Sequence, residues 1–159
     1  LHLLAQAREA AGNRPTAIEA YSRLVTDYPS SEWTPAGRVA QGRLLLQEGR
    51  WDEGRQALEQ VLAGSDEAVA VEAAFTLGEG FRARGAQEDA VEAYLTAAYL
   101  APASAWGRRA LLGAGQSFAA LKQTESAVIV LRKLLAQPEL APELAQQAKR
   151  ALQQLGQGP

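Results

Sequence analysis

Side chains that could do chemistry are few in this chain, and their spacing is poor for it. The one histidine, His2, stands at the very start. A single imidazole with no second histidine and no cysteine offers no transition-metal site, and at a helix start it reads as a solvated side chain rather than a ligand or base. The lack of cysteine also excludes disulfides, thiolate metal sites and a cysteine nucleophile. Ser126 and Lys133 can be written down as a serine-lysine pair, but seven residues of one helix account for them equally well. The triplets Gly78-Glu79-Gly80 and Gly113-Ala114-Gly115 lack the preceding strand and flanking lysine of a phosphate loop, and close helix packing explains their small size. Asp66-Glu67 and Glu88-Asp89 do not have the spacing of a calcium loop. Acids in the first turn of a helix complement its dipole without any ion. No catalytic residue, no cofactor and no metal site is therefore expected.

The tryptophans are the remaining special residues. Trp51 follows the turn at Gly49-Arg50 and is expected to pack its hairpin on itself, while Trp33 and Trp106 open helices after loops. A structural role is expected for each, and one that proves half exposed becomes a hot-spot candidate. The formal charge of −2 gives no pull toward nucleic acid or an anionic membrane. No apolar run approaches the roughly 18 to 20 residues of a membrane span, so direct insertion is not expected. Lysine occurs only at Lys122, Lys133 and Lys149, the other cations are arginine, and alanine is abundant, a bias typical of GC-rich bacterial genomes. The chain opens at Leu1 without Met and already in a helical pattern, so it is expected to be a fragment from which any targeting segment is gone.

What positions these side chains is a repeat. Gly12, Gly49, Gly85 and Lys122 recur at spacings of 37, 36 and 37 residues. Five residues after each lie Ala17, Gly54, Ala90 and Ala127; nine after lie Tyr21, Leu58, Tyr94 and Leu131. Seven before lie Ala5, Gly42, Gly78 and Gly115. Within each unit, apolar residues such as Leu77, Phe81, Ala90, Val91, Tyr94, Ala97 and Ala98 recur at steps of three and four, the stripe of an amphipathic helix. Mid-helix glycine costs about 1 kcal/mol against alanine, so Gly78 and Gly115 call for compensation by close helix contact. Gly12, Gly49 and Gly85 suit left-handed helix caps, and Pro29, Pro102 and Pro138 end second helices. No period-two alternation supports strands.

The expectation is an all-α chain with helices at about 1–11, 15–27, 34–48, 52–63, 67–84, 87–100, 104–120, 124–136 and 142–155. These make four hairpins, with units about 1–30, 31–66, 67–103 and 104–140, and a C-terminal capping helix at 142–155. Together they form one domain, 1–155. Residues 156–159 read as a frayed tail. In the last helix Ala148, Ala151, Leu152 and Leu155 share one stripe, whereas Leu1, Leu3 and Leu4 leave the start of the stack uncapped and open to self-association.

The stretch Leu77-Gly78-Glu79-Gly80-Phe81, followed by Gly85, Ala90, Tyr94, Ala97 and Pro102, resembles the tetratricopeptide repeat (TPR) signature. The other units are weaker copies. Unit one has Arg8 where an aromatic is usual, unit two has Gly54 for the packing alanine, and unit four has Lys122 for the turn glycine. Arg38 and Gln41 take normally apolar positions, so that helix is rotated, is covered by another chain or missing segment, or is simply a poor match. The resemblance implies a right-handed superhelix of helix-turn-helix repeats. Asp27-Tyr28-Pro29-Ser30-Ser31, the 36- to 37-residue period and the closing helix Ala148-Lys149-Arg150-Ala151-Leu152 are also similar to TPR domains of bacterial envelope proteins. The Tol-Pal coordinator and the outer-membrane assembly lipoprotein are examples, and they imply a periplasmic or outer-membrane-associated place.

In that family the first helix of each unit lines the concave face. The resemblance thus puts Gln6 and Glu9, then Val39, Arg43, Leu46 and Gln47, then Glu72, Phe75, Glu79 and Arg82, then Arg109, Leu112 and Gln116 toward a groove for a partner peptide or helix. Arg43, Arg82 and Arg109 come nearest to a carboxylate clamp; the alternative is that these are solvated helix faces. The implied function is a non-catalytic interaction scaffold. Its rivals are a self-associating structural scaffold and a helical accessory domain of a larger enzyme.

Overall fold

The computed structural model describes residues 1–157, and all regular structure among them is helical. In chain order the helices are α1 (His2–Ala10), α2 (Arg14–Asp27), α3 (Thr34–Gln47), α4 (Trp51–Gly64), α5 (Glu67–Ala83), α6 (Gln87–Leu100), α7 (Ala105–Ala120), α8 (Thr124–Leu135) and α9 (Pro142–Gln154). Every bound lies within a residue of the range predicted from apolar spacing. The chain divides into two compact halves, Leu1–Thr76 and from Leu77 onward, with the division inside α5.

Each hairpin turns by one device. Gly12, Gly49 and Gly85 have φ of 75°, 77° and 79°, and Lys122 takes the same left-handed conformation at 60°. In each case the next amide reaches back to the last turn of the first helix: Asn13 N to Arg8 O, Arg50 N to Leu45 O, Ala86 N to Phe81 O and Gln123 N to Phe118 O, all 2.9–3.0 Å. These are bonds of the Schellman type, which satisfy carbonyls that a helix end would otherwise leave bare.

In the N-terminal half, α1 packs on α2, α2 on α3 and α3 on α4. Ala5, Ala17, Ile18, Tyr21, Leu44 and Leu45 form its first cluster, with Ala40 packed against them. A Cβ on Gly42 would lie 2.7 Å from Leu58 Cγ, and one on Gly54 would lie 2.8 Å from Gly42 O. The glycine at the packing-alanine position therefore lets α3 and α4 approach each other more closely. Arg38 and Gln41 need neither rotation nor a covering chain. Arg38 donates to Gln60 Oε1 on α4, and Gln41 donates to Ser22 Oγ on α2 over 2.8 Å. Arg8, at the aromatic position, donates to Thr16 O at the start of α2 over 3.0 Å.

In the C-terminal half, α6 packs on α7, α7 on α8, and α9 lies against both α8 and α7. The Tyr94 ring fills the space left by two glycines: a Cβ on Gly78 would be 2.5 Å from it, and one on Gly113 2.6 Å. Gly115 stands against Leu131 in the same way, at 2.6 Å. Arg108 donates to Pro138 O over 2.9 Å and to Glu139 O over 3.1 Å, tying α7 to the loop before α9. Ala148 and Leu152 of α9 are buried. Of the residues read as a tail, Gly156 adopts φ 73° and Gln157 N bonds to Leu152 O over 3.0 Å, closing α9 with another left-handed cap. Gly158 and Pro159 lie outside the described residues.

Candidate partner-binding faces

The first helices of the N-terminal half carry a charged cluster built across units. Arg43 Nη2 on α3 donates to Glu9 Oε1 on α1 over 2.7 Å, and Glu9 Oε2 accepts from the Tyr21 hydroxyl of α2 over 3.3 Å. Burial first, and the Glu9 carboxylate second, push the Tyr21 phenol up to about 12. Glu72 on α5 lies in the field of Arg43, which favours its charged form, but burial outweighs this and raises its pKa. Arg14, at the start of α2, pairs with Glu48 at the end of α3 over 3.4 Å. Gln47 is exposed and Leu46 half-buried against Gly54.

The C-terminal half repeats the device with other residues. Arg82 donates to Glu79 Oε2 over 3.0 Å and to Gln116 Oε1 on α7 over 3.2 Å, while the Tyr94 hydroxyl donates to Glu79. Burial, with the Glu79 hydrogen bond second, drives the Tyr94 phenol well above its ordinary value. Glu9 and Arg82 stand three residues before their turns, and Arg43 and Gln116 six before theirs. Both halves thus join the same two register positions of consecutive units. Arg109 is exposed, with its guanidinium 4.9 Å from the centre of the Trp106 ring.

Three of the predicted groove residues do not face a partner. Val39, Phe75 and Leu112 are buried, and α3 and α7, which carry Val39 and Leu112, are each packed on both sides. Arg43, Leu46, Gln47, Glu72, Glu79, Arg82, Arg109 and Gln116 keep some exposure. Arg43, Arg82 and Arg109 are each held by a neighbour rather than converging as a clamp within either half. The tyrosine anchors were missed in the sequence, although tyrosine nine residues after the turn occurs only in units one and three, the two with a carboxylate placed to receive it. Ser126 and Lys133 stay two turns apart on α8, and the Asp66 carboxylate accepts from Val69 N over 3.2 Å at the start of α5.

A second feature of the N-terminal half is built on the start of α1. His2 is not a solvated side chain; its ring stacks on Trp33 at 4.9 Å and meets Tyr21 edge-on at 6.2 Å. Beside it is a cleft of about 490 Å³ lined by Leu3, Leu24, Tyr28 and Trp33 among others. Trp33 is 51% exposed and Leu3 79%, so Trp33 meets the half-exposed condition set for a hot-spot candidate.

Two tetratricopeptide repeat models match the sequence, one over residues 39–105 and the other over 1–31 and 109–139. The chain belongs to the tetratricopeptide repeat family. Solved structures agree on the fold. MamA superposes with a TM-score of 0.72 at 16% identity, covering 96% of this chain and 84% of that one. The nearly identical TPR-like repeats of a Podosopora anserina protein described as a kinesin light chain give 0.75 at 18% identity, covering 98% and 85%. A TPR protein from Parabacteroides merdae gives 0.71 at 16% identity, covering 95% of this chain and 62% of that one. No curated protein sequence matches. The fold is all-α and TPR-like, and TPR repeats are protein-interaction scaffolds, typically non-catalytic, that generally bind protein partners.

Proposed function

We propose that this TPR chain is an adaptor that holds a peptide or helix of a partner protein on the first-helix faces, in a bacterial cell-envelope assembly. The observation that carries the reading is the cross-unit pairing of Glu9 with Arg43 and of Arg82 with Gln116, each braced by a tyrosine or a second charge. Side chains already fixed in place lose less entropy when a ligand arrives, which favours binding through them. The envelope part rests on the inter-unit segment Asp27 to Ser31 and on the closing helix. Peptides selected from a random library on the native chain serve as probes, measured by calorimetry against Arg43→Glu, Arg82→Glu and Arg109→Glu variants whose circular dichroism is unchanged. Loss of about tenfold or more in affinity is expected for at least one arginine in each half. Unchanged affinity in all three removes the groove. A full reading frame with neither export signal nor lipid-attachment cysteine removes the envelope.

Self-association through the N-terminal cleft is the second reading, favoured by the exposure of Leu3 and Trp33. Trp33→Ser should abolish any such association, as read by sedimentation.

A further inference from the structure

The outward faces of the second helices differ in how their charges are satisfied. On α2, Arg23 pairs with Asp27 one turn away at 3.8 Å, and on α4, Arg55 pairs with Glu59 at 2.7 Å. On α6 the exposed face carries Glu88, Glu92, Leu95 and Tyr99, with acidic charge only. On α8 the exposed residues Glu125, Ile129 and Lys133 stand at i, i+4 and i+8, in line along one face. Two turns of helix, about 12 Å, separate the carboxylate from the ammonium, so they do not meet within the molecule. Among the described residues no ion pair uses either of them, or Arg132, and between them Ile129 is 67% exposed.

We propose that α8 is a docking face for a second copy of this chain, the two α8 helices crossing antiparallel about a two-fold axis at Ile129. An acid and a base placed symmetrically about an apolar residue are complementary to their own image under that operation. Ile129 meets Ile129 of the second copy, Glu125 meets its Lys133, and Lys133 meets its Glu125. Ser126 and Arg132 come opposite each other in the same register. A two-fold contact of this kind closes on itself and stops at a dimer. No other second helix offers it. Laid antiparallel on itself, α6 brings no opposite charge, and the arginines of α2 and α4 that could answer an acid are already paired within the chain. One helix face buries less than the roughly 1,200 Å² of a stable complex, so the dimer is weak and forms only at high concentration.

Sedimentation equilibrium of the native chain over a wide concentration range should show a reversible monomer-dimer equilibrium. Glu125→Lys and Lys133→Glu variants should each remain monomeric, because every contact then sets like charges together. Mixing the two variants should restore a dimer, and so should the double variant, since both arrangements return one acid opposite one base. Ile129→Ser should also lose the dimer, with α-helical content unchanged. A native chain that stays monomeric throughout overturns the proposal. So does an association that Glu125→Lys leaves intact, or one that the mixture fails to restore. Association abolished by Trp33→Ser but kept by the α8 variants would assign it to the N-terminal cleft instead.

Discussion

Tyr21 and Tyr94 each fill the gap between their hairpin helices and hold a first-helix carboxylate through the hydroxyl. A free tyrosine ionises near pH 10, whereas Tyr21 keeps its proton to about 12. Its contribution is complete below about pH 10 and is lost as pH rises through about 12. The unfolding midpoint of the native chain should thus fall more steeply over that window than that of Tyr21→Phe; parallel curves would show that Tyr21 is not linked to folding. Gly113 tests the ring of Tyr94. A methyl group there overlaps an aromatic edge fixed on its other side by Gly78, so Gly113→Ala should destabilise by about 1–3 kcal/mol in denaturant titration, despite its better helix propensity. Stabilisation would mean that the ring moves aside at little cost.

At the scale of the helix and its turn, Lys122 is the exception among the four hairpin turns. A side chain in the left-handed region costs on the order of 1 kcal/mol, and glycine avoids the cost. Lys122→Gly should raise stability by about that amount, and a chemical denaturation midpoint that does not move would refute it. The helices themselves were legible because their apolar spacing, glycine turns and prolines agree with one another. Arg38, Gln41 and Arg8 were legible only as departures from the repeat. Their partners, Gln60, Ser22 and the Thr16 carbonyl, lie 22, 19 and 8 residues away and are brought near only by folding. The burial of the residues proposed for the groove was only half legible, for a related reason. A three-to-four-residue step identifies a helix face, but on a helix packed from two sides it does not separate Val39 and Leu112 from their exposed neighbours.

Across the whole molecule, hairpins joined mainly to their neighbours in sequence make stability a local property. Leu58→Ala, which empties the space beside Gly42, should cost about 2–5 kcal/mol and speed amide exchange in α3 and α4 far more than in α8 and α9. Equal acceleration at both ends would show that the chain opens as one unit. The fit of Tyr94 between Gly78 and Gly113 has a further consequence, for recombination. Tyr94 demands glycine on the helix before it and on the helix after it, so its hairpin carries a requirement about its successor. Tyr21 is bordered by Ala5 and Ala40, and Leu131 by Gly115. A shuffled array that sets Tyr94 before a helix with threonine at the Gly113 position, as Thr76 stands in α5, would jam. The order of the repeats is written in side-chain volumes, and grafted modules would have to respect it.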